Sequence, residues 1–288
     1  MIRFETIADL VQLATEEASP ISEIVLRSEA ESSRQSRFAV MATMGENWRV
    51  MKESIERGVE NRERSLSGLT GGDAVKLFAR RDKGYLGAAA LAVAAYAVGV
   101  SEVNAAMGRI VACPTAGSCG IVPAALYTAM KQGKSEEAII QSLFTAAGIG
   151  MVIEANASIA GATGGCQAEC GSAAGMAAAA LTELGGGDPE TVSHAAALAI
   201  KNLLGLVCDP VAGLVEVPCV KRNGFAAVHA MLAADMALAG VRSVIPADEV
   251  IEAMERIGRA LPRTLKETAE GGLAMTTTAQ KITQKLYG

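Results

Sequence analysis

The chain has 288 residues, half of them hydrophobic, which is enough to bury a sizeable core and argues against disorder. Aromatics make up only 3% while alanine and glycine crowd the middle, so the core has to form by close backbone packing. A net charge of −5 with no lysine-arginine tract lacks the clustered basic face that nucleic-acid phosphates require, and points to a small-molecule partner.

The start, Met1-Ile2-Arg3-Phe4-Glu5, has an early acidic residue and no apolar run or cleavage site. No signal peptide is expected, and the location is predicted to be cytoplasmic. Residues 1–72 are dense in charge, with apolar groups at helical spacing: Ile21, Ile24 and Val25, then Met44, Trp48, Met51 and Ile55. They read as a charged, amphipathic, helical N-terminal segment. Gly68-Leu69-Thr70-Gly71-Gly72 breaks the pattern as a hinge or linker, and residues 73–288 are expected to form the main, catalytic domain.

From residue 73 to about 244 the composition is that of an interior. Residues 84–130 carry only Glu102 and Arg109 as charges, and residues 141–180 only Glu154 and Glu169. These segments are alanine-rich and lack the alternating β-branched pattern of strands. The predicted fold class is therefore all-α, a buried Ala/Gly-rich helical core interrupted by Gly- and Cys-bearing loops. The charge-free runs at 84–101 and 110–130 approach membrane-spanning length. The first is mostly alanine and glycine and the second contains Cys113-Pro114-Thr115 and Pro123, so both read as buried helices, and no membrane partner is expected. Helix starts are marked by Ser135 before Glu136-Glu137, by Asp188-Pro189-Glu190 and by Ala247-Asp248-Glu249. The last opens a stripe of Val250, Ile251, Met254, Ile257 and Leu261 that Pro262 interrupts. Gly271-Gly272-Leu273-Ala274-Met275 reads either as a loop packed back onto the core or as a frayed tail.

Chemistry concentrates in three loops that hold all six cysteines. In a reducing compartment these are seldom disulfides. The first loop, Cys113-Pro114-Thr115-Ala116-Gly117-Ser118-Cys119-Gly120, runs into a helix with Pro123 in its first turn. Its hydroxyls and unpaired N–H groups at a positive helix end suit a carboxylate or phosphate, or form a tight turn that binds nothing. The second, Gly161-Ala162-Thr163-Gly164-Gly165-Cys166-Gln167-Ala168-Glu169-Cys170-Gly171, has glycines where a bulky inorganic group would approach the backbone. Cys166 and Cys170, four apart, could face one ligand or simply pack. In the third, Cys208-Asp209-Pro210-Val211-Ala212-Gly213-Leu214-Val215-Glu216-Val217-Pro218-Cys219, Asp209 and Val217 each precede a proline, so the thiols bracket a non-helical excursion. Thiolates suit an iron-sulfur cluster, zinc or copper(I), and spacing alone does not choose among them.

At these loops the sequence resembles the α chain of the two-subunit iron-sulfur L-serine dehydratases of bacteria. The likeness runs through most of residues 80–270. It rests on Ala112-Cys113-Pro114-Thr115-Ala116-Gly117-Ser118-Cys119-Gly120-Ile121-Val122-Pro123-Ala124, on Gly164-Gly165-Cys166-Gln167-Ala168-Glu169, and on Cys208-Asp209-Pro210-Val211-Ala212-Gly213 with Val217-Pro218-Cys219. The resemblance implies an L-serine ammonia-lyase of serine degradation and gluconeogenesis, which eliminates water from L-serine at the open iron of a [4Fe-4S] cluster to give pyruvate and ammonia. It implies that Cys166, Cys208 and Cys219 hold three irons, and it leaves Cys113, Cys119 and Cys170 to packing or to the surroundings of the ligands. Pro114, Thr115, Gly117 and Ser118 are the candidates for anchoring the serine carboxylate. Single-chain relatives carry an extra N-terminal domain and a C-terminal cysteine that this chain lacks. A separate β subunit is therefore expected as partner; the general base is left unassigned, with the β chain as one place for it.

His194 and His229 lie in alanine-rich helical context and read as structural. Lys201 and Lys221-Arg222-Asn223 read as solvated surface. Competing readings are an iron-sulfur L-cysteine desulfidase, a non-catalytic cluster-binding subunit, and a pyridoxal-phosphate dehydratase with residues 161–165 as phosphate cradle and Lys201 as imine former.

Overall fold

Strong start signals fix the helices of this chain, whose computed structural model describes residues 2–288. The first three are α1 (Ile7–Glu16), α2 (Ile21–Ser33) and α3 (Arg37–Glu60). Thr6 and Asp9 form a capping box at the start of α1. Asp248, from a helix 240 residues further on, accepts from the Ile7 and Ala8 N–H groups at 2.7 and 3.0 Å, so this helix end is satisfied twice over. A glycine break and then α4 (Asp73–Arg80) follow. Buried Glu102 receives the N–H groups of Gly72, Asp73 and Ala74 at 2.9–3.3 Å, placing a carboxylate at the positive end of α4.

The central helices are α5 (Gly87–Ala105), α6 (Ile121–Lys131), α7 (Glu136–Asn156), the short α8 (Gly161–Gly164), α9 (Ser172–Leu184), α10 (Pro189–Lys201) and α11 (Cys219–Leu238). Ser135 caps α7, and Asp188 caps α10 with Pro189 in its first turn. The chain closes with α12 (Ala247–Ala260) and α13 (Thr277–Tyr287). Among the described residues the ordered elements are helical, with one isolated bridge between Cys208 and Lys266.

Helix α9 is the axis of the core. Its residues Ser172 to Ala180 are all buried, packed by α6, α7, α10 and α11. Alanine at nearly every facing position lets these helices approach closely, as the composition requires. Glycine does the same where α3 crosses α5: a Cβ on Gly58 would lie 2.4 Å from the carbonyl carbon of Gly99. Larger apolar groups of the first three helices, including Ile7, Leu10, Ile24, Trp48 and Ile55, join the same hydrophobic cluster as the central alanines.

Two helices are long and apolar enough to cross a membrane by length and composition, α5 and α7, and 61% of each apolar window is buried in this fold. The charge-free run at 84–101 falls mainly in α5. The run at 110–130 does not stay one helix, because the loop leading to α6 occupies its first half. Its place as a long apolar helix is taken by α7, whose glutamates Glu136, Glu137 and Glu154 sit near its two ends. The segment after Pro262 packs back onto the core: Leu273 N–H donates to Asp209 at 2.8 Å, and buried Ala274 follows.

Candidate functional site

The three loops meet at the N-terminal ends of α6, α9 and α11. The first makes a short 3₁₀ turn at Ala116–Ser118 between α5 and α6. Ser118 is fully buried, and its hydroxyl lies against Thr115 and the loop's own main chain. Thr115 Oγ1 donates to Glu169 Oε1 at 2.7 Å, which ties the first loop to the second. A Cβ on Gly117 would stand 2.7 Å from the same oxygen, so only glycine lets the carboxylate in.

The second loop turns at Gly165, whose φ of 77° lies in the left-handed region, and then enters a π-helical turn, Gln167–Gly171, at the head of α9. A π turn widens the helix by one residue and brings Cys166 Sγ and Cys170 Sγ to 3.5 Å. Buried Gln167 fixes this turn, with Nε2 donating to Met254 O and Oε1 accepting from Gly205 N–H, both at 2.8 Å. On the other side, a Cβ on Gly161 would stand 2.7 Å from Glu169 Oε2 and 3.1 Å from Cys208 Sγ. The missing side chain forms a cradle into which Glu169 and Cys208 close against the backbone.

The third loop is held by the C-terminal segment. Cys208 N–H donates to Leu265 O at 2.9 Å and Glu267 N–H to Cys208 O at 2.8 Å. Asp209 accepts from Arg222 Nη2 at 2.9 Å and from Leu273 N–H, and Arg222 Nη1 donates to Val207 O at 2.8 Å. Cys219 opens α11. One turn later buried Asn223 receives Gly120 N–H at 2.9 Å and donates to Gly117 O and Cys219 O at 2.7 and 3.0 Å. One amide thereby locks the first loop to the third.

All six cysteines are free thiols and buried. Burial pushes Cys219 up to about 12 and Cys208 higher still, and the negative charges of Cys166 and Glu169 add to both. Cys166 goes the other way: the Cys170 thiol donating to it, and then the Arg222 cation, favour its thiolate. Glu169 is raised, first by burial, against the hydrogen bond from Thr115. Cys166, Cys208, Cys219, Glu169 and Arg222 thus share one electrostatic neighbourhood.

Among the described residues no three His, Cys, Asp or Glu side chains close around a single metal ion. An iron-sulfur cluster takes its thiolates on different irons rather than on one ion. The soft donor set and the cradle at Gly161 fit such a group.

Arg222 and Asn223, read from the sequence as solvated, are turned inward and bonded to the loops. Lys221 does face outward, to Asp73 at 2.8 Å. Lys201 donates to Ser243 at 3.2 Å, not into the glycine loop. His229 Nε2 bonds Ala199 O at 2.8 Å, and His194 lies 3.7 Å from Glu190. Sequence reasoning passed over Asn223 and Glu169. For Asn223 a signal existed, since it stands four residues after Cys219 and shares its helix face. Glu169 stood inside a quoted motif, but its partner Thr115 lies 54 residues away.

The family model described as "Serine dehydratase alpha chain" matches residues 16–274. The chain is similar to the "Probable L-serine dehydratase, alpha chain" of Bacillus subtilis (strain 168), 49% identical over 99% of this chain and 96% of that one. The "L-serine dehydratase, alpha chain" of Peptoniphilus asaccharolyticus is 42% identical over 96% of each. The "L-serine dehydratase" of Streptomyces coelicolor is 41% identical over 94% of this chain but only 61% of its own, longer one. With this match across most of its length, the chain belongs to the serine dehydratase alpha chain family.

Proposed function

We propose that this chain is the α subunit of an L-serine dehydratase, a carbon-nitrogen lyase that converts L-serine to pyruvate and ammonia together with a separate β subunit. Its membership of the family and the names of its relatives support the activity and the substrate. The observation that carries the site is the mutual charge influence of buried Cys166, Cys208 and Cys219, drawn from two separate loops, with Cys208 beside Gly161.

Those three thiols are the residues that would hold a [4Fe-4S] cluster. When bound, a cluster with three cysteine ligands supplies one open iron as a Lewis acid that makes hydroxide a better leaving group. The chain's own residues do the rest of the positioning. Pro114, Thr115, Gly117 and Ser118 form the wall for the serine carboxylate, with Ser118 shaping the turn and Asn223 clamping it. Glu169, its Oε1 held by Thr115, brings a carboxylate to the thiols, and this charge suits the substrate ammonium. Arg222 offsets the negative charge gathered there and, through Asp209, keeps the third loop closed.

The test is anaerobic purification with and without the β chain, followed by iron and sulfide analysis and a pyruvate assay on serine and on cysteine. Pyruvate from serine by the loaded complex is the expected result. Turnover of cysteine alone, or no iron after reconstitution, overturns the reading. Thr115→Val and Ser118→Ala, assayed in the same complex, are expected to raise the apparent serine KM. No change in KM or turnover removes the first loop from the substrate site.

A further inference from the structure

Cys170 is one of three thiols that the proposed function does not use, and it stands against one of the proposed ligands. Its Sγ is 3.5 Å from Cys166 Sγ, whereas the Cys113 thiol points at main-chain oxygens of Val111 and Cys119 at 3.6 Å. Four residues along a helix rise about 6 Å, within the roughly 4.4–6.8 Å that Cα atoms of disulfides span. The π turn that separates them is a wide and adjustable piece of helix, so closing the remaining gap asks for side-chain rotation more than backbone movement.

We propose that Cys166 and Cys170 form a reversible disulfide when the site carries no cluster, a redox latch that withholds one ligand until it is reduced. Formation of the disulfide needs only the geometry above, while its effect on cluster loading rests on Cys166 being a ligand. The oxidant is hydrogen peroxide. The Cys166 sulfur attacks the peroxide O–O bond, giving a sulfenic acid and releasing one water. The Cys170 thiol then attacks that sulfur, forming the S–S bond and releasing the second water. Two thiols lose two electrons and the peroxide gains them, so the step balances. Both side chains are buried, but Ala162 and Thr163 are exposed at the rim of the same loop, and a peroxide is smaller than the amino acid the site is proposed to admit. A neighbouring thiol that captures the sulfenic acid also protects Cys166 from irreversible over-oxidation.

The experiment uses the cluster-free full chain treated with hydrogen peroxide, alkylated and mapped by peptide mass spectrometry. A Cys166–Cys170 link that a dithiol reductant removes is expected, with Cys170→Ala instead accumulating sulfinic and sulfonic acid at position 166. Iron and sulfide reconstitution, read by visible absorption, is then expected to fall about tenfold in the oxidised chain and to recover on reduction. Absence of the link, or a linked chain that still loads iron at the full level, overturns the latch. The reduced, untreated chain reads the ligand assignment separately. If it takes up no iron although the link forms, Cys166 is not a cluster ligand and only the disulfide stands.

Discussion

The first cysteine loop and the third look alike in sequence, each a proline-bearing stretch with a thiol at either end, yet the fold gives them opposite surroundings. Cys113 faces main chain and Cys119 the Ser101 hydroxyl, and burial pushes both up, Cys119 to about 12. Cys208 and Cys219 are buried too, but they also feel the charge of Cys166, and Cys219 is close enough to Arg222 for the cation to offset part of that charge. Burial alone makes a thiol inert. What marks a ligand is the company of other thiols together with a compensating cation, and here only the second and third loops provide both.

The largest expected effect comes from breaking that contrast directly. Cys208→Ser or Cys219→Ser should lose nearly all the iron held after anaerobic reconstitution, and dehydratase activity with it. Cys113→Ala should keep the iron content of the parent protein, with a stability loss of no more than about 1–2 kcal/mol for a small buried side chain. Equal iron loss in all three variants would mean that the first loop belongs to the ligand set.

Next in size is the clamp between the two loops. Asn223→Ala leaves Gly117 O and Gly120 N–H short of partners in a buried place, where each unsatisfied group is worth about 1–3 kcal/mol. A loss of about 3 kcal/mol in urea unfolding is expected, together with a raised serine KM. A stable variant with an unchanged KM would show that the first loop holds its shape without α11.

Much of this architecture was readable in advance, and the parts that were not share a cause. Capping residues, the glycine break before α4 and the all-helical core follow from local patterns, since Ser135, Asp188 and Gly72 act on neighbours a few residues away. The contacts that build the site join residues 54 to 106 apart, Thr115 to Glu169 and Asn223 to Gly117, and no periodicity records them. Lys221-Arg222-Asn223 reads as a polar surface triplet, but each step along a helix turns about 100°, so Lys221 points outward while the next two face the loops. The C-terminal segment was ambiguous because its glycines and threonines suit a tail as well as a strap. The bond from Leu273 N–H to Asp209 resolves the choice.

A gentler way to sharpen the contrast is to fill the cradle. Gly161→Ala introduces a methyl group 2.7 Å from Glu169 Oε2 and 3.1 Å from Cys208 Sγ, so one of them must give way. Overpacking of this kind costs about 1–3 kcal/mol. Iron uptake should slow and the serine KM rise, whereas Ala162→Gly beside it should change neither. If Gly161→Ala loads and turns over normally, the open space there is not part of the site.

The smallest effect tests whether α11 has two separate faces, one for the site and one for the fold. Lys221 bonds Asp73 at the start of α4, and this contact first, then Lys76, holds the Asp73 carboxyl below its ordinary value of 3.8. A depressed folded value means that the ion pair stabilises the protein above about pH 4, and that the stabilisation is lost as pH falls through the lowered value. The pair is part-exposed, so Asp73→Asn should remove no more than about 1 kcal/mol at neutral pH, with the two proteins converging as pH falls below the ordinary carboxylate value. Thermal unfolding across that pH range measures it, alongside iron retention, which should not move. Lys221 is one step from Arg222 on the helix, so iron loss in Asp73→Asn comparable to that of Asn223→Ala would mean that the outward ion pair and the inward clamp act as one unit.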